Sequence, residues 1–165
     1  MSTDDHRVRI LLVCMGNICR SPTAHAVLRD QLSRQGLASQ VAIESAGTHG
    51  FHVGKAPDRR AEEAARRRGY AMADLRARQV GPADLATFDY VIAMDEANYA
   101  AVEELTDGAT RARLALLMDY VEDAPRRDVP DPYYGGPNGF EEVLDLVEAA
   151  SDAVIAALRR DHGLA

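Results

Sequence analysis

The segment Cys14–Ser21 brings together two thiols, an arginine and a hydroxyl within eight residues. An apolar run before Cys14 predicts a buried strand, and Ser21-Pro22 predicts the start of a helix, with the serine as its N-cap. Gly16-Asn17 between them are residue types that readily adopt positive φ in a tight turn. A loop of this kind turns its backbone N–H groups inward and, together with the helix N-terminus, forms a binding site for anions.

Cys14 and Arg20 are suited to chemistry on a phosphoryl group bound in such a loop. The helix dipole and the charge of Arg20 both favour the thiolate, which is the nucleophilic form of cysteine. Arg20 can bind two phosphoryl oxygens and stabilise the charge of the transition state. The Ser21 hydroxyl can donate to the Cys14 sulfur and help it leave a thiophosphate. The alternative is a buried cysteine at a strand end beside a capped helix.

Strand and helix patterns alternate along the 165 residues. Strands are predicted at 7–13, 41–46, 89–94 and 114–118, and helices at 21–36, 58–69, 96–105 and from 138 onward. This order predicts a doubly wound four-stranded parallel sheet with helices on both faces. Without a repeat or linker, residues 1–165 are expected to form a single domain. Ligands of such sheets bind beyond the carboxyl ends of the strands, where Cys14 lies.

The composition and the net charge argue against several classes of function. A formal net charge of −7 disfavours binding to nucleic acid, whose backbone is also negative. No apolar run reaches the ~18 residues of a membrane helix, and the N-terminal run is too short for a signal peptide, so we expect a cytoplasmic protein without membrane contact. Two cysteines are too few for a disulfide scaffold or structural zinc, and no metal or cofactor is predicted.

The segment Cys14–Pro22 resembles the signature of the low-molecular-weight protein tyrosine phosphatases. Further segments that resemble this family are Ser45–Thr48, Phe51–Gly54, Arg76–Gln79, Phe88–Tyr90, Met94–Asp95 and Asp131–Tyr134. The resemblance covers nearly the whole chain and implies hydrolysis of phosphotyrosine, and of small aryl phosphates, through a phosphocysteine intermediate.

The resemblance also implies a role for each residue of the site. Cys14 would be the nucleophile, Arg20 the phosphoryl-binding residue, and Asp131 the general acid and then base for a phenolic leaving group of pKa ~10. Asn17, Ser21 and Ser45 would form the polar network that holds the loop in shape. The substrate-binding residues would be Met15, Gly16, Asn17, Ile18, Cys19, Ser21, Phe51, Tyr133 and Tyr134. A tyrosine-phosphorylated protein is the implied partner, and a cognate tyrosine kinase is a further candidate.

Three residues depart from the pattern of the family. Phe51 lies where many relatives have a larger aromatic residue, so the pocket wall is expected to differ. Leu75 lies where the family often has a histidine bonded to the phosphate-loop network, which is therefore expected to be looser or water-filled. His25 replaces a frequent glutamate and is expected to be an exposed helix residue without a role.

Three other functions are compatible with parts of the sequence. Arsenate reduction needs further cysteines to relay a disulfide, and none follows Cys19. A phosphoarginine phosphatase prefers a small polar residue at position 18, where this chain has Ile18. A non-catalytic phosphotyrosine-binding module would keep Arg20 but would not need Cys14 or Asp131.

The pairing of two cysteines in one loop also predicts redox sensitivity. A thiolate is easily oxidised to sulfenic acid, and Cys19 could capture oxidised Cys14 as a disulfide. Alternatively, Cys19 only packs beneath the loop.

Overall fold

A four-stranded parallel sheet lies at the centre of the fold in the computed structural model, which describes residues 8–132 and 138–164. The strands are β1 (Val8–Cys14), β2 (Val41–Gly47), β3 (Tyr90–Ala93) and β4 (Arg113–Leu116). Their order across the sheet is β2-β1-β3-β4, and every neighbouring pair is parallel. The predicted doubly wound parallel sheet is confirmed.

Helices cover both faces of this sheet. They are α1 (Arg20–Arg34), α2 (Arg59–Arg67), α3 (Pro82–Thr87), α4 (Glu96–Glu103) and α5 (Gly139–His162), with a 3₁₀ turn at Leu117–Tyr120. The central strand β1 supplies apolar side chains to two cores, because alternate residues of a strand point to opposite faces. Ile10 and Leu12 pack in the larger core with α1, α2 and α5, and Leu11 and Val13 pack in the smaller core on the other face.

Local structure differs from the sequence-based expectation at three places. Helix α1 begins at Arg20 with Cys19 as its N-cap, so Ser21 is not the cap and its hydroxyl bonds inside the loop. Helix α3 was not predicted, although Pro82 at its first position is a common start signal and the Gly81 N–H donates to Asp84 Oδ2 at 2.9 Å. The fourth strand ends early, at Leu116, and continues as the 3₁₀ turn.

The strand order positions the loop after β1. The chain passes from β1 to its neighbour β2 and then crosses β1 to reach β3 on the other side, so the strand order reverses at β1. Ligands of open α/β sheets bind at the carboxyl ends of the strands at such a point. The end of β2 lies directly against the loop: the Thr48 N–H donates to the Cys14 carbonyl at 2.9 Å. A Cβ at Gly47 would lie 2.7 Å from the Met15 carbonyl oxygen, so only glycine fits there.

Candidate active site

Asn17 shapes the loop between β1 and α1. Its φ is 58°, in the left-handed region that asparagine tolerates better than most residues. Its side chain bonds in two directions: Oδ1 accepts from the Arg78 N–H at 3.0 Å, and Nδ2 donates to Ser21 Oγ at 2.8 Å. The loop is therefore tied both to the segment after α2 and to the first turn of α1.

The Cys14 thiol lies buried at the floor of this loop with two polar groups on its sulfur. The Asn17 N–H donates to Cys14 Sγ at 3.3 Å, and Ser21 Oγ lies 3.0 Å from the same sulfur. Because Ser21 Oγ accepts from Asn17 Nδ2, its own hydrogen can point toward the sulfur. The sulfur of Cys14 therefore has one backbone N–H donor and one hydroxyl within hydrogen-bond distance.

Arg20 is buried beside the loop and bound by acceptors from distant parts of the chain. Its Nη1 donates to Asp95 Oδ2 at 2.5 Å and to the Val129 carbonyl at 3.1 Å, and its Nη2 lies 3.7 Å from Asp131 Oδ2. Burial alone would lower the pKa of Arg20, but the hydrogen bond to Asp95 and the neighbouring negative charges raise it above the ordinary value. The guanidinium is thus held as a cation at a fixed place.

A slot of about 280 Å³ opens above Cys14. Its floor is the loop, and its walls come from the segment after β2 and from Asp131. The lining residues are Cys14, Met15, Gly16, Ile18, Cys19, Arg20, Phe51, His52 and Asp131. Tyr133 and Tyr134, also predicted to line the slot, lie outside the described residues.

Phe51 is the most exposed part of this lining. Its side chain is 69% exposed and stacks on the His49 ring, with centroids 5.0 Å apart and planes inclined by 19°. His52 lies deeper, since a Cβ on Gly16 would lie 3.0 Å from His52 Cδ2. The rim of the slot therefore carries one exposed ring and one imidazole packed on the loop.

Cys19, the N-cap residue of α1 at the end of the loop, is a free, buried thiol. Burial and, after it, the nearby Asp58 carboxylate raise the pKa of Cys19 well above that of an ordinary thiol. At neutral pH it is therefore present as the neutral thiol, and the two cysteines of the loop differ in their surroundings.

The prediction that His25 is an exposed helix residue is wrong. His25 is only 8% exposed, and its Nδ1 lies 3.1 Å from Ser45 Oγ. Burial, and after it the charge of Arg29, lowers the pKa of His25 to about 4. Ser45 was predicted to join Asn17 and Ser21 in one polar network, but the hydrogen bond observed for its side chain goes to this neutral imidazole.

The region around Leu75 also has a defined structure. Leu75 is half-buried and packs against the larger core. The same segment contacts α1 through Asp74, which forms two hydrogen bonds with Arg29, each 3.0 Å long. Leu75 thus packs with apolar side chains, and the polar partner observed for Ser45 is His25 of α1.

Residues 9–164 match the sequence model of the family described as low molecular weight phosphotyrosine protein phosphatase. The chain belongs to this family. The resemblance stated from the sequence is thereby confirmed, as is the prediction that the chain is an enzyme of the protein-tyrosine-phosphatase class.

Individual phosphatases are similar along almost their whole length. The low molecular weight protein-tyrosine-phosphatase YfkJ of Bacillus subtilis is 40% identical over 95% of this chain and 99% of its own. A protein tyrosine phosphatase of Entamoeba histolytica, solved with Hepes in its active site, has a TM-score of 0.89 and 35% identity over 94% of this chain and 99% of its own. The Drosophila arginine phosphatase has a TM-score of 0.86 and 26% identity over 92% of this chain and 98% of its own. The same fold thus occurs in proteins named for two substrates.

Sequence reasoning missed three contributions to the site of this phosphatase. Asp95 is the partner of Arg20, and the available signal was its place directly after β3, the neighbour of β1 in the sheet. His52 lines the slot, but nothing in its spacing distinguishes it from a solvent-exposed loop histidine. His25 was assigned to the wrong environment.

Two kinds of feature are absent from the described ranges, 8–132 and 138–164. No helix there is long and apolar enough to cross a bilayer. Within the same residues, no three histidine, cysteine or acidic side chains are grouped as a metal site would require.

Proposed function

We propose that this protein hydrolyses phosphotyrosine, and small aryl phosphates, through a phosphocysteine on Cys14. The observation that supports this most is the content of one slot: a buried thiol with a backbone donor and a hydroxyl beside its sulfur, a buried arginine and a partly exposed carboxylate. These are the three groups that displacement at phosphorus requires, namely a nucleophile, a fixed positive charge and an acid.

In the first step, the Cys14 thiolate attacks phosphorus and the phenolic oxygen leaves. Backbone N–H groups of the loop and the Arg20 guanidinium bind the phosphoryl oxygens as charge builds on them. Asp131, as its carboxylic acid, gives its proton to the leaving oxygen. The products are phosphocysteine and the free phenol.

In the second step, water attacks the phosphocysteine. Asp131, now a carboxylate, takes the proton from that water, and Cys14 departs as thiolate. Ser21 lies 3.0 Å from the sulfur, where its hydroxyl can donate to the departing thiolate and so favour bond breaking. Phosphate then leaves, and the site returns to its starting protonation.

The lining of the slot favours an aryl substrate. Met15, Ile18 and Phe51 present hydrocarbon and an aromatic face, which suit a flat ring. Ile18 argues against phosphoarginine, whose guanidinium would need a polar partner at that place. Arsenate reduction lacks the further cysteine that it requires, because the chain has only Cys14 and Cys19.

Two finer aspects of the function stay proposals that rest on the sequence. The first is redox sensitivity, with oxidised Cys14 captured by Cys19, which is buried in the same loop. The second is the setting: a cytoplasmic enzyme, acting on tyrosine-phosphorylated proteins, with a cognate tyrosine kinase as a candidate partner.

The test is phosphate release from phenyl phosphate in the presence of a chelator, by the wild type and by Cys14→Ser. We expect full activity of the wild type with chelator and none of Cys14→Ser, whose hydroxyl has no nearby base to activate it. Cys19→Ser serves as the matched control in the same loop and should retain turnover. Activity that the chelator abolishes and a divalent ion restores would contradict the proposal.

A further inference from the structure

The segment between β2 and α2 borders the slot for most of its length. His52 lines the slot, and six residues later the Asp58 N–H donates to the Ile18 carbonyl at 2.8 Å. Lys55 lies midway, with its N–H donating to the His52 carbonyl at 2.8 Å. Lys55 is therefore three residues from His52 and three residues from Asp58, both of which contact the phosphate-binding loop.

Two exposed cationic side chains, Lys55 in this segment and Arg59 at the start of α2, lie here in a chain whose net charge is −7. Lys55, the single lysine of the sequence, is exposed, and within 8–132 and 138–164 no carboxylate lies at ion-pair distance from it. The Arg59 side chain is 92% exposed and has only a long contact, 3.7 Å, with Glu63 Oε1. Asp58 lies between Lys55 and Arg59 in the sequence, and its carboxylate caps α2 by accepting hydrogen bonds from the N–H groups of Arg60 and Ala61.

Exposed apolar side chains adjoin these charges. Phe51 is 69% exposed and Val53 is 57% exposed, and these two are the exposed large hydrophobic residues of the described chain. Isolated exposed apolar residues need no explanation, but here both lie in the same five residues as His52 and Lys55, and Phe51 and His52 line the slot. A peptide chain leaving the slot on this side would pass over them.

We propose that Phe51, His52, Lys55 and Arg59 form a docking surface for acidic residues that flank the phosphotyrosine of a peptide substrate. The proposal rests on the proposed function, because the phosphotyrosine must occupy the slot for its neighbours to reach this surface. An extended peptide advances about 3.3–3.6 Å per residue, so the one to three residues beside the phosphotyrosine fall over this segment. A peptide explains the surface better than a lipid headgroup does, because the charges adjoin the slot and an exposed aromatic ring.

The experiment compares two phosphotyrosine peptides that differ only in having glutamate or glutamine at the flanking positions. The measured quantity is kcat/KM, relative to kcat/KM for phenyl phosphate, which has no flanking residues. For the wild type at low salt, we expect a two- to fivefold preference for the glutamate peptide, about the size of an exposed ion pair. The preference should fall in ~0.5 M salt, where charges are screened over a few ångströms.

Two variants of Lys55 test the assignment. Lys55→Gln should reduce the preference, and Lys55→Glu should reverse it toward the glutamine peptide. Arg66→Gln is the matched control, because Arg66 is exposed on α2 but two turns beyond Arg59, about 10 Å along the helix. Arg66→Gln should retain the wild-type preference.

Several outcomes would overturn the docking surface. These are equal rates of the wild type with both peptides, an unchanged preference in Lys55→Glu, and an equal loss in Arg66→Gln, which would indicate overall charge alone. Lys55-dependent sedimentation with phosphatidylserine vesicles, without a peptide preference, would assign the charges to a membrane surface and also overturn it. Absence of phenyl phosphate hydrolysis would instead refute the proposed function itself.

Discussion

Replacement of His25 by asparagine tests the buried imidazole directly. Asparagine keeps a polar group near the position of Nδ1, which contacts Ser45 Oγ, but it does not titrate between pH 4 and 7. The measured quantity is the change in the free energy of unfolding with pH. Because only this change is compared, a variant that is less stable than the wild type at every pH still gives a valid test.

The magnitude follows from the shift in pKa. Burial lowers the pKa of His25 from 6.5 to about 4. Between these values the unfolded chain binds a proton at His25 and the folded chain does not, so the free energy of unfolding rises with pH across this window and His25 adds no slope above it. At 1.36 kcal/mol per unit of pKa, the full contribution is about 3 kcal/mol.

Urea unfolding followed at several pH values between 4 and 7.5 gives the required curves. The wild type should lose about 3 kcal/mol more than His25→Asn as the pH falls from 6.5 to 4. Ser45→Ala is the control, and it should keep the steeper wild-type dependence, because burial and not the hydrogen bond to Ser45 is the main cause of the shift. Parallel curves for the wild type and His25→Asn would refute a buried neutral imidazole.

Three further predictions concern the slot. Asp131→Asn should slow burst release of phenol from phenyl phosphate by about 10²–10⁴-fold but affect nitrophenyl phosphate much less, since a stable leaving group needs no proton; equal losses for both substrates would make Asp131 structural. Phe51→Ala should raise KM for aryl phosphates by about fivefold, or ~1 kcal/mol, through loss of ring stacking, and unchanged kinetics would remove Phe51 from the substrate site. After peroxide and then thiol treatment, Cys19→Ser should recover less activity than the wild type, whereas equal recovery would show that Cys19 does not protect Cys14.

Local sequence patterns predicted the phosphate-binding loop and the strand and helix on either side of it. Strand β1, the turn at Gly16-Asn17 and the helix after it are encoded by neighbouring residues, so one stretch of sequence was enough to place Cys14 at the carboxyl end of the first strand. The positive φ of Asn17 was expected from its residue type. The resemblance to the family added Asp131, which no local pattern connects with Cys14.

Long-range packing could not be predicted in the same way. The partners Arg20 and Asp95 are 75 residues apart, and only the strand order brings them together. His25 lies in a half of α1 in which every residue from Arg20 to Leu28 is buried, because β2, α2 and α5 all pack against this helix. Histidine is a polar residue type, and from its type alone His25 is predicted to be exposed. Because this half of the helix is buried on several sides, its sequence lacks the one-sided apolar periodicity that would distinguish buried from exposed positions.

The most direct test of the proposed mechanism is to trap the intermediate. The wild type is mixed with phenyl phosphate, quenched in acid within the first turnover, digested and examined by mass spectrometry. The mechanism predicts a phosphoryl group on Cys14 that forms as fast as phenol is released and is absent from Cys14→Ser. Turnover without a phosphorylated Cys14, or a phosphoryl group on Cys19 instead, would contradict it.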